Sequence, residues 1–178
     1  MTLPTLPITT ERLVLRLREP RDLDDLHAIY SREDVATFLL HDAMTREQLE
    51  AHFADLAAGD ADGLGLVVEL DGRVVGRVSL ELFAPDQGEL GWTFHPEVGG
   101  RGLATEAARA MVDLGFGHYA LHRIKAELDP RNESSMRLCE RLGMRREGHR
   151  VQDFWTKGEW ADTYEYALLA SEWDGRRH

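Results

Sequence analysis

Cysteine is almost absent from this chain of 178 residues, in which Cys139 is the only one. A single thiol excludes an intramolecular disulfide, Cys-x-x-Cys redox chemistry and a cysteine-based zinc site. His118 and His122 have helical i, i+4 spacing, but no third ligand accompanies them, so we expect no metal. A solvated or capping role is the alternative for both histidines.

Long hydrophobic runs are also missing, because arginine and aspartate residues interrupt every apolar stretch. No stretch approaches the length of a membrane span, and residues 1–7 lack the basic and apolar regions of a secretory signal. We therefore expect a cytoplasmic protein with no membrane partner.

Positive charge is scarce, since 21 Lys and Arg stand against 32 Asp and Glu and the formal net charge is −11. Such a surface repels a phosphodiester backbone and attracts cations, so we expect no nucleic-acid partner. The acidity has two interpretations that stay open, namely plain solubility and the steering of a basic substrate. With 43% hydrophobic residues and no Pro- or Ser-rich linker, residues 1–178 should form one domain.

The first half of the chain predicts helices followed by antiparallel strands. Leu13, Leu15 and Leu17 alternate with their neighbours and predict an opening strand that turns these leucines into the core. A helix should cover residues 20–30, and a capping box at residues 45–48 should start a second helix.

Residues 59–63 are expected to stop that second helix. Asp71-Gly72 then lies between two strand-like runs and predicts a tight hairpin, and the apolar run of residues 90–94 predicts a further strand. These strands indicate a mixed sheet with an antiparallel front half.

The second half alternates helices and strands. Helical spacing covers residues 103–116 and 134–142, and strand-like runs cover residues 123–128, 144–151 and 160–169. Strand-helix-strand units require parallel strands, and they place helix N-termini at the carboxyl ends of strands, where anions bind.

A glycine-rich turn, Gly99-Gly100-Arg101-Gly102, precedes the helix that begins at Leu103. Glycines let main-chain N–H groups converge, and the first N–H groups of a helix have no partner within it. The helix dipole adds about half a positive charge, so a diphosphate fits there and Arg101 can add a charge-assisted contact. The turn is neither a Rossmann fingerprint nor a P-loop, and by itself it leaves phosphate binding and a plain turn both open.

Residues 99–107 resemble motif A of the GNAT acyltransferase superfamily, Arg/Gln-x-x-Gly-x-Gly/Ala, with Gly102 and Ala104 in the last two signature places. Gly99 departs from that motif, which usually has Arg or Gln there. Residues 100–107 are similar throughout to the ribosomal-protein N-terminal acetyltransferase branch, called RimJ/RimL-like. The resemblance implies that acetyl-CoA is bound through Gly99, Gly100, Arg101, Gly102, Leu103, Ala104 and Thr105.

The resemblance covers nearly the whole chain and implies a single-domain α/β (α+β) GNAT-like fold. Its sheet would be mixed and mostly antiparallel, with about seven strands, helices on both faces and strands that splay apart to admit the cofactor. The family pairs the pantetheine with the splayed strand before motif A, which implies backbone contacts along Gly91 to Phe94 and so with Trp92, Thr93 and Phe94. An N–H group near Thr93 or Phe94 would hold the oxyanion.

Residues 129–144 are similar to the family's motif B, Asn-x-x-Ser with a closing Glu-Lys/Arg-Leu-Gly-Phe. This likeness implies that Asn132 bonds the pantetheine, that Ser135 lies near the thioester and that Arg137 reaches a phosphate. Asn132 is also explained as a helix N-cap, and the two roles are compatible. Many GNAT proteins have a tyrosine that protonates the leaving thiolate where this chain has Cys139.

Direct attack of an amine on the thioester is the reaction that the resemblance implies, and a cationic amine must first lose a proton. Glu89 is the candidate base, with Glu81 in reserve; a solvated strand-edge position is the alternative for Glu89. Ser135, water or Cys139 are the candidates for stabilising the thiolate. For Cys139, an acyl-accepting nucleophile and a buried structural thiol are further alternatives.

A peptide N-terminal α-amino group is the acceptor that the branch likeness implies. A small amine, such as an amino sugar, a polyamine or an antibiotic, is the first alternative, and a non-catalytic acyl-CoA sensor is the second. Residues 39–44 and the helix after them should form part of the acceptor wall. Family members are often homodimers, although this sequence shows no decisive interface.

Overall fold

The computed structural model describes residues 2–58, 63–83 and 85–174. The strands are β1 (Ile8–Thr9), β2 (Val14–Arg16), β3 (Gly63–Leu70), β4 (Arg73–Phe83), β5 (Gln87–Phe94), β6 (Arg123–Leu128), β7 (Arg145–Thr156) and β8 (Glu159–Leu169). The α-helices are α1 (Leu23–Tyr30), α2 (Glu33–Ala36), α3 (Arg46–Ala58), α4 (Leu103–Gly117) and α5 (Glu133–Arg141). Short 3₁₀ turns cover Pro20–Asp22, Pro96–Val98 and Ala170–Glu172.

The eight strands form one sheet in the order β1-β2-β3-β4-β5-β6-β8-β7. Every neighbouring pair is antiparallel except β5 with β6, so the mixed and mostly antiparallel sheet is confirmed. The sheet has eight strands rather than about seven because the two-residue β1 pairs with β2.

The expectation of parallel pairing throughout the second half is wrong for the last strands. β6 and β7 run in the same direction, but β8 lies between them and pairs antiparallel with both. The crossover through α5 therefore leaves a space in the sheet that the final strand fills. Sequence periodicity does not reveal this insertion, because it reports the type of each element and not its neighbours.

Helices cover both faces of the sheet, as expected. α4 and α5 pack on one face over a core that includes Leu90 and Ile124. α1 and α3 pack on the other face over a smaller core that includes Val67 and Val74. No helix in the described part of the chain is long and apolar enough to cross a membrane.

The start of the chain departs from its predicted pattern at one leucine. Leu13 and Leu15 are buried, but Leu17 is 48% exposed, so its predicted core position is wrong. β2 ends at Arg16, whose guanidinium donates to both carboxylate oxygens of Asp22 at 2.8 Å. The chain turns at this ion pair before Leu17 could continue the alternation.

The capping box before α3 is confirmed. The Thr45 N–H donates to Gln48 Oε1 at 2.8 Å, and the Gln48 N–H donates to Thr45 Oγ1 at 3.3 Å. The hairpin at Asp71-Gly72 is also present, between β3 and β4. Residues 59–62 of the predicted helix stop lie outside the described residues.

Candidate functional site

Strands β5 and β6 separate after a short paired segment. Residues 87–89 pair in parallel with residues 123–125, whereas the other edge of β5 stays paired with β4 as far as Phe94. Within the described part of the chain, residues 90–94 therefore have no strand partner on the β6 side. Their main-chain groups offer an extended ligand the hydrogen bonds that an added strand would take up.

The N-terminus of α4 lies beside this opening, and its first main-chain N–H groups have no hydrogen-bond partner within the helix. The N-cap residue Gly102 is in the left-handed region, with a φ of 76°. The first helical hydrogen bond runs from the Glu106 N–H to the Gly102 carbonyl at 3.0 Å. The N–H groups of residues 103–105 precede that bond, so they and the helix dipole favour an anion.

Glu106 fastens the glycine-rich turn to the start of the chain. Its carboxylate accepts hydrogen bonds from Thr10 Oγ1 at 2.6 Å and Arg12 Nε at 2.7 Å. Arg12 Nη1 also donates to the Arg101 carbonyl at 2.9 Å. Burial alone would raise the pKa of Glu106, but the hydrogen bonds from Thr10 and Arg12 outweigh it and lower that pKa. Sequence reasoning missed this support because its parts lie far apart along the chain.

The motif B residues bridge the opening from the side of α5. Asn132 is the N-cap of α5, and its Oδ1 accepts from the Ser135 N–H at 3.1 Å. Ser135 is buried, and its Oγ accepts from Trp92 Nε1 at 3.2 Å. This hydrogen bond links α5 to the part of β5 that has no strand partner on the β6 side. Arg137, the expected phosphate ligand, forms an exposed ion pair with Glu133 at 2.7 Å.

Cys139 lies on the buried face of α5, in the core shared with α4, and has no exposed surface. Burial raises the pKa of its thiol to about 12. A thiol in this environment is not ionised near neutral pH and presents no open face to an acyl donor. The structure therefore favours the buried structural thiol over the catalytic alternatives.

Glu89 lies at the closed end of the opening, on the face opposite α4. Its neighbour Leu90 points into the α4 core, and alternation along the strand turns Glu89 the other way. β5 is an interior strand at this point, paired to Glu81 on β4 and to Lys125 on β6, so the strand-edge alternative is wrong.

Lys125 holds two carboxylates at this closed end. Its Nζ lies 3.0 Å from Glu89 Oε2 and 2.7 Å from Glu127 Oε1. Burial lowers the pKa of Lys125, but the two carboxylates outweigh it and raise that pKa. Alternating charges continue from here across the sheet face, through Arg150, Glu165, Arg123 and Glu147. No sequence pattern predicts this network, because its members come from different strands.

The predicted acceptor wall, residues 39–44, lies against the tip of the β7–β8 hairpin. Lys157 in that tip donates to the Ala36 carbonyl, and its Nζ lies 4.0 Å from Asp42 Oδ1. Trp155 and Trp160 beside the tip pack edge to face and are both more than half exposed. The hairpin therefore belongs to the same surface as the loop, which sequence reasoning did not anticipate.

A sheet that opens between parallel strands, beside a helix end that favours an anion, defines a binding site for an extended ligand with a phosphate at one end. Residues 12–145 match the family described as the acetyltransferase (GNAT) domain. The chain therefore belongs to the GNAT acetyltransferase family. It is an acyltransferase that uses acetyl-CoA to acetylate an amine.

Similar proteins agree over almost the full chain. The uncharacterized N-acetyltransferase YnaD of Bacillus subtilis (strain 168) is 32% identical over 168 residues, which are 94% of this chain and 99% of that protein. The spermidine N(1)-acetyltransferase of Escherichia coli (strain K12) is 25% identical over 161 residues, with 89% and 87% covered. The crystal structure of a GNAT-family acetyltransferase from Bacillus anthracis superposes with a TM-score of 0.86 at 32% identity, covering 94% of this chain and 100% of that one.

Proposed function

We propose that this protein acetylates the α-amino group of a peptide N-terminus by direct attack on acetyl-CoA. The observation that carries the proposal is the opening between β5 and β6, which has a helix N-terminus at one side and the carboxylate of Glu89 at its closed end. The peptide acceptor rests on the likeness of residues 100–107 to the RimJ/RimL-like branch.

Acetyl-CoA supplies the activated acetyl group, and the residues present fit its two ends. The turn of residues 99–102 and the N–H groups of residues 103–105 bind the diphosphate, with added charge from Arg101. The free edge of residues 92–94 pairs with the pantetheine. Asn132 caps α5 through its oxygen, so its amide nitrogen is left to donate.

Glu89 accepts the proton that a cationic acceptor must lose before its lone pair can attack. It lies on the sheet face opposite α4, so an amine can approach it without crossing the helix end that binds the diphosphate. A main-chain N–H near Thr93 or Phe94 stabilises charge on the thioester oxygen. Ser135 accepts a bond from Trp92 and keeps its own O–H to donate to the departing sulfur.

A linear polyamine is the second candidate acceptor. Glu89 and Glu127 flank the ammonium of Lys125, and Glu81 lies opposite Glu89 on β4, so three carboxylates lie on adjacent strands here. The similar spermidine N(1)-acetyltransferase of Escherichia coli acts on such a molecule by name. Closely spaced carboxylates suit the repeated cations of a polyamine.

A panel of acceptors, followed by the release of free CoA thiol, tests the proposal. We expect the highest kcat/KM with peptides that have a free N-terminus, and none with the same peptides after N-terminal blocking. Turnover with spermidine but with none of the peptides would show that the acceptor is a polyamine and not a peptide N-terminus. Silence across the panel, with CoA still raising the melting temperature, would favour an acyl-CoA sensor; an unmoved melting temperature would overturn the proposed coenzyme site.

A further inference from the structure

Arg141 reaches the N-terminus of α4 from the end of α5. Its Nη1 donates to Thr105 Oγ1 at 3.4 Å. Thr105 is the third residue of α4 and belongs to the group whose N–H donors have no helical partner. A second helix therefore brings a guanidinium to the helix end where the proposed function places the diphosphate.

No acidic side chain neutralises this guanidinium. Within the described residues, Arg141 and Arg101 form no ion pair, whereas the nearby Arg12, Arg137 and Arg145 each pair with a carboxylate. The chain has a net charge of −11, so carboxylates are plentiful, yet neither of these two arginines at one helix end has a carboxylate partner in the described part of the chain.

The positive charges at this helix end repel one another when no anion is bound. The dipole of α4 contributes about half a positive charge, and Arg101 and Arg141 each add a full one. A diphosphate cancels this repulsion and accepts the paired N–H donors that a guanidinium presents.

We propose that Arg141 donates hydrogen bonds to the diphosphate of the coenzyme and, with Arg101, encloses it at the N-terminus of α4. This inference rests on the coenzyme site proposed above. The family likeness assigned a phosphate contact to Arg137, one turn earlier on α5, where Arg137 forms an exposed ion pair with Glu133 of the same helix. Arg141 is the arginine of α5 that contacts α4.

Calorimetric titration of CoA into the wild type, Arg141→Ala and Arg137→Ala tests the assignment without any acceptor. We expect Arg141→Ala to raise the Kd at least about tenfold, because a bond to a charged group is lost. Arg137→Ala should stay within about twofold of the wild type. Arg141→Lys should recover part of the affinity, since it keeps the charge but not the paired donors.

Dephospho-CoA lacks the 3′-phosphate but keeps the diphosphate, so it shows which of the two groups Arg141 contacts. We expect Arg141→Ala to weaken CoA and dephospho-CoA by the same factor. A loss confined to CoA would overturn the diphosphate assignment, and an unchanged Kd for both ligands would overturn the role of Arg141 altogether. A wild type that binds neither ligand would instead reject the coenzyme site itself. Equal melting temperatures without ligand show that Arg141→Ala, an exposed position, is folded.

Discussion

Glu89 and Glu81 face each other across β4 and β5, so two carboxylates compete for the role of proton acceptor. Only Glu89 also borders β6 and therefore lies where the sheet begins to open. We expect Glu89→Gln to lower kcat at neutral pH by about 10²-fold or more, and to recover as the pH rises and the acceptor deprotonates without help.

Glu81→Gln is the matched control, because it removes a carboxylate from the same face one strand away. It should leave kcat within a few-fold of the wild type over the whole pH range. If the pH profile of Glu89→Gln followed the wild-type curve, Glu89 would not be the base. If Glu81→Gln, and not Glu89→Gln, lost kcat at neutral pH and recovered at high pH, Glu81 would be the base.

Glu106 makes the stability of the protein depend on pH in a defined direction. Its folded-state pKa lies below the ordinary value of 4.5, so its contribution is present above that value and is lost as the pH falls through the folded pKa. Denaturant unfolding should show that Glu106→Gln costs about 1–3 kcal/mol at neutral pH, because hydrogen bonds to a charged group are weakened. The two unfolding free energies should converge in acid; a constant difference across pH would show that the charge of Glu106 does not matter.

Cys139 illustrates what a sequence motif leaves out at the scale of one residue. The likeness to motif B places Cys139 where a tyrosine is usual and leaves catalytic and structural roles open. Depth decides between them, because a thiol with no exposed surface belongs to the core. That depth depends on how α5 packs against α4, which no neighbouring residue reveals.

The turn into α4 needs a glycine at its N-cap. Gly102 has a φ of 76°, where an L side chain costs about 1–2 kcal/mol, while a Cβ there would come no closer than 3.7 Å to its nearest neighbour, Arg12 Nη2. The space inside the protein is therefore adequate, and any larger effect must come from the ligand. Calorimetry should show that Gly102→Ala loses CoA affinity by well over tenfold.

Gly158→Ala provides the control for that substitution. Gly158 lies in the β7–β8 turn with a φ of 83° and nothing within 4 Å of a built Cβ, so it carries the same backbone strain away from the helix end. It should lose stability but keep the wild-type affinity for CoA. Equal affinity losses in both variants would mean that strain alone, and not a bound diphosphate, explains Gly102.

Elements that depend on local chemistry were predictable, and contacts between distant elements were not. The capping box of α3 and the Asp71-Gly72 hairpin follow from residues a few positions apart, and both are confirmed. Leu17 was misplaced because the ion pair that ends β2 joins Arg16 to Asp22 around a turn. The opening between β5 and β6 was expected from family likeness. The contacts of Arg141 and Lys125 were not, because their partners lie on other elements that come together only in the fold.

At the scale of the whole molecule, a net charge says nothing about where the charges lie. The sequence predicts acidity but leaves solubility and substrate steering open. The fold gathers carboxylates and their partner cations on the part of the sheet face that α1 and α3 leave uncovered, next to the opening. Most of these carboxylates are paired with Lys125, Arg150 or Arg123, so the structure leaves solubility and substrate steering both open.

The insertion of β8 between β6 and β7 has a consequence for synthesis on the ribosome. The chain is made in order, so β6 and β7 emerge before the strand that holds them together. A nascent chain that has not yet reached residue 159 has an incomplete sheet with two unpaired edges, and such edges invite association with other chains. These two edges are paired only after the ribosome has synthesised β8.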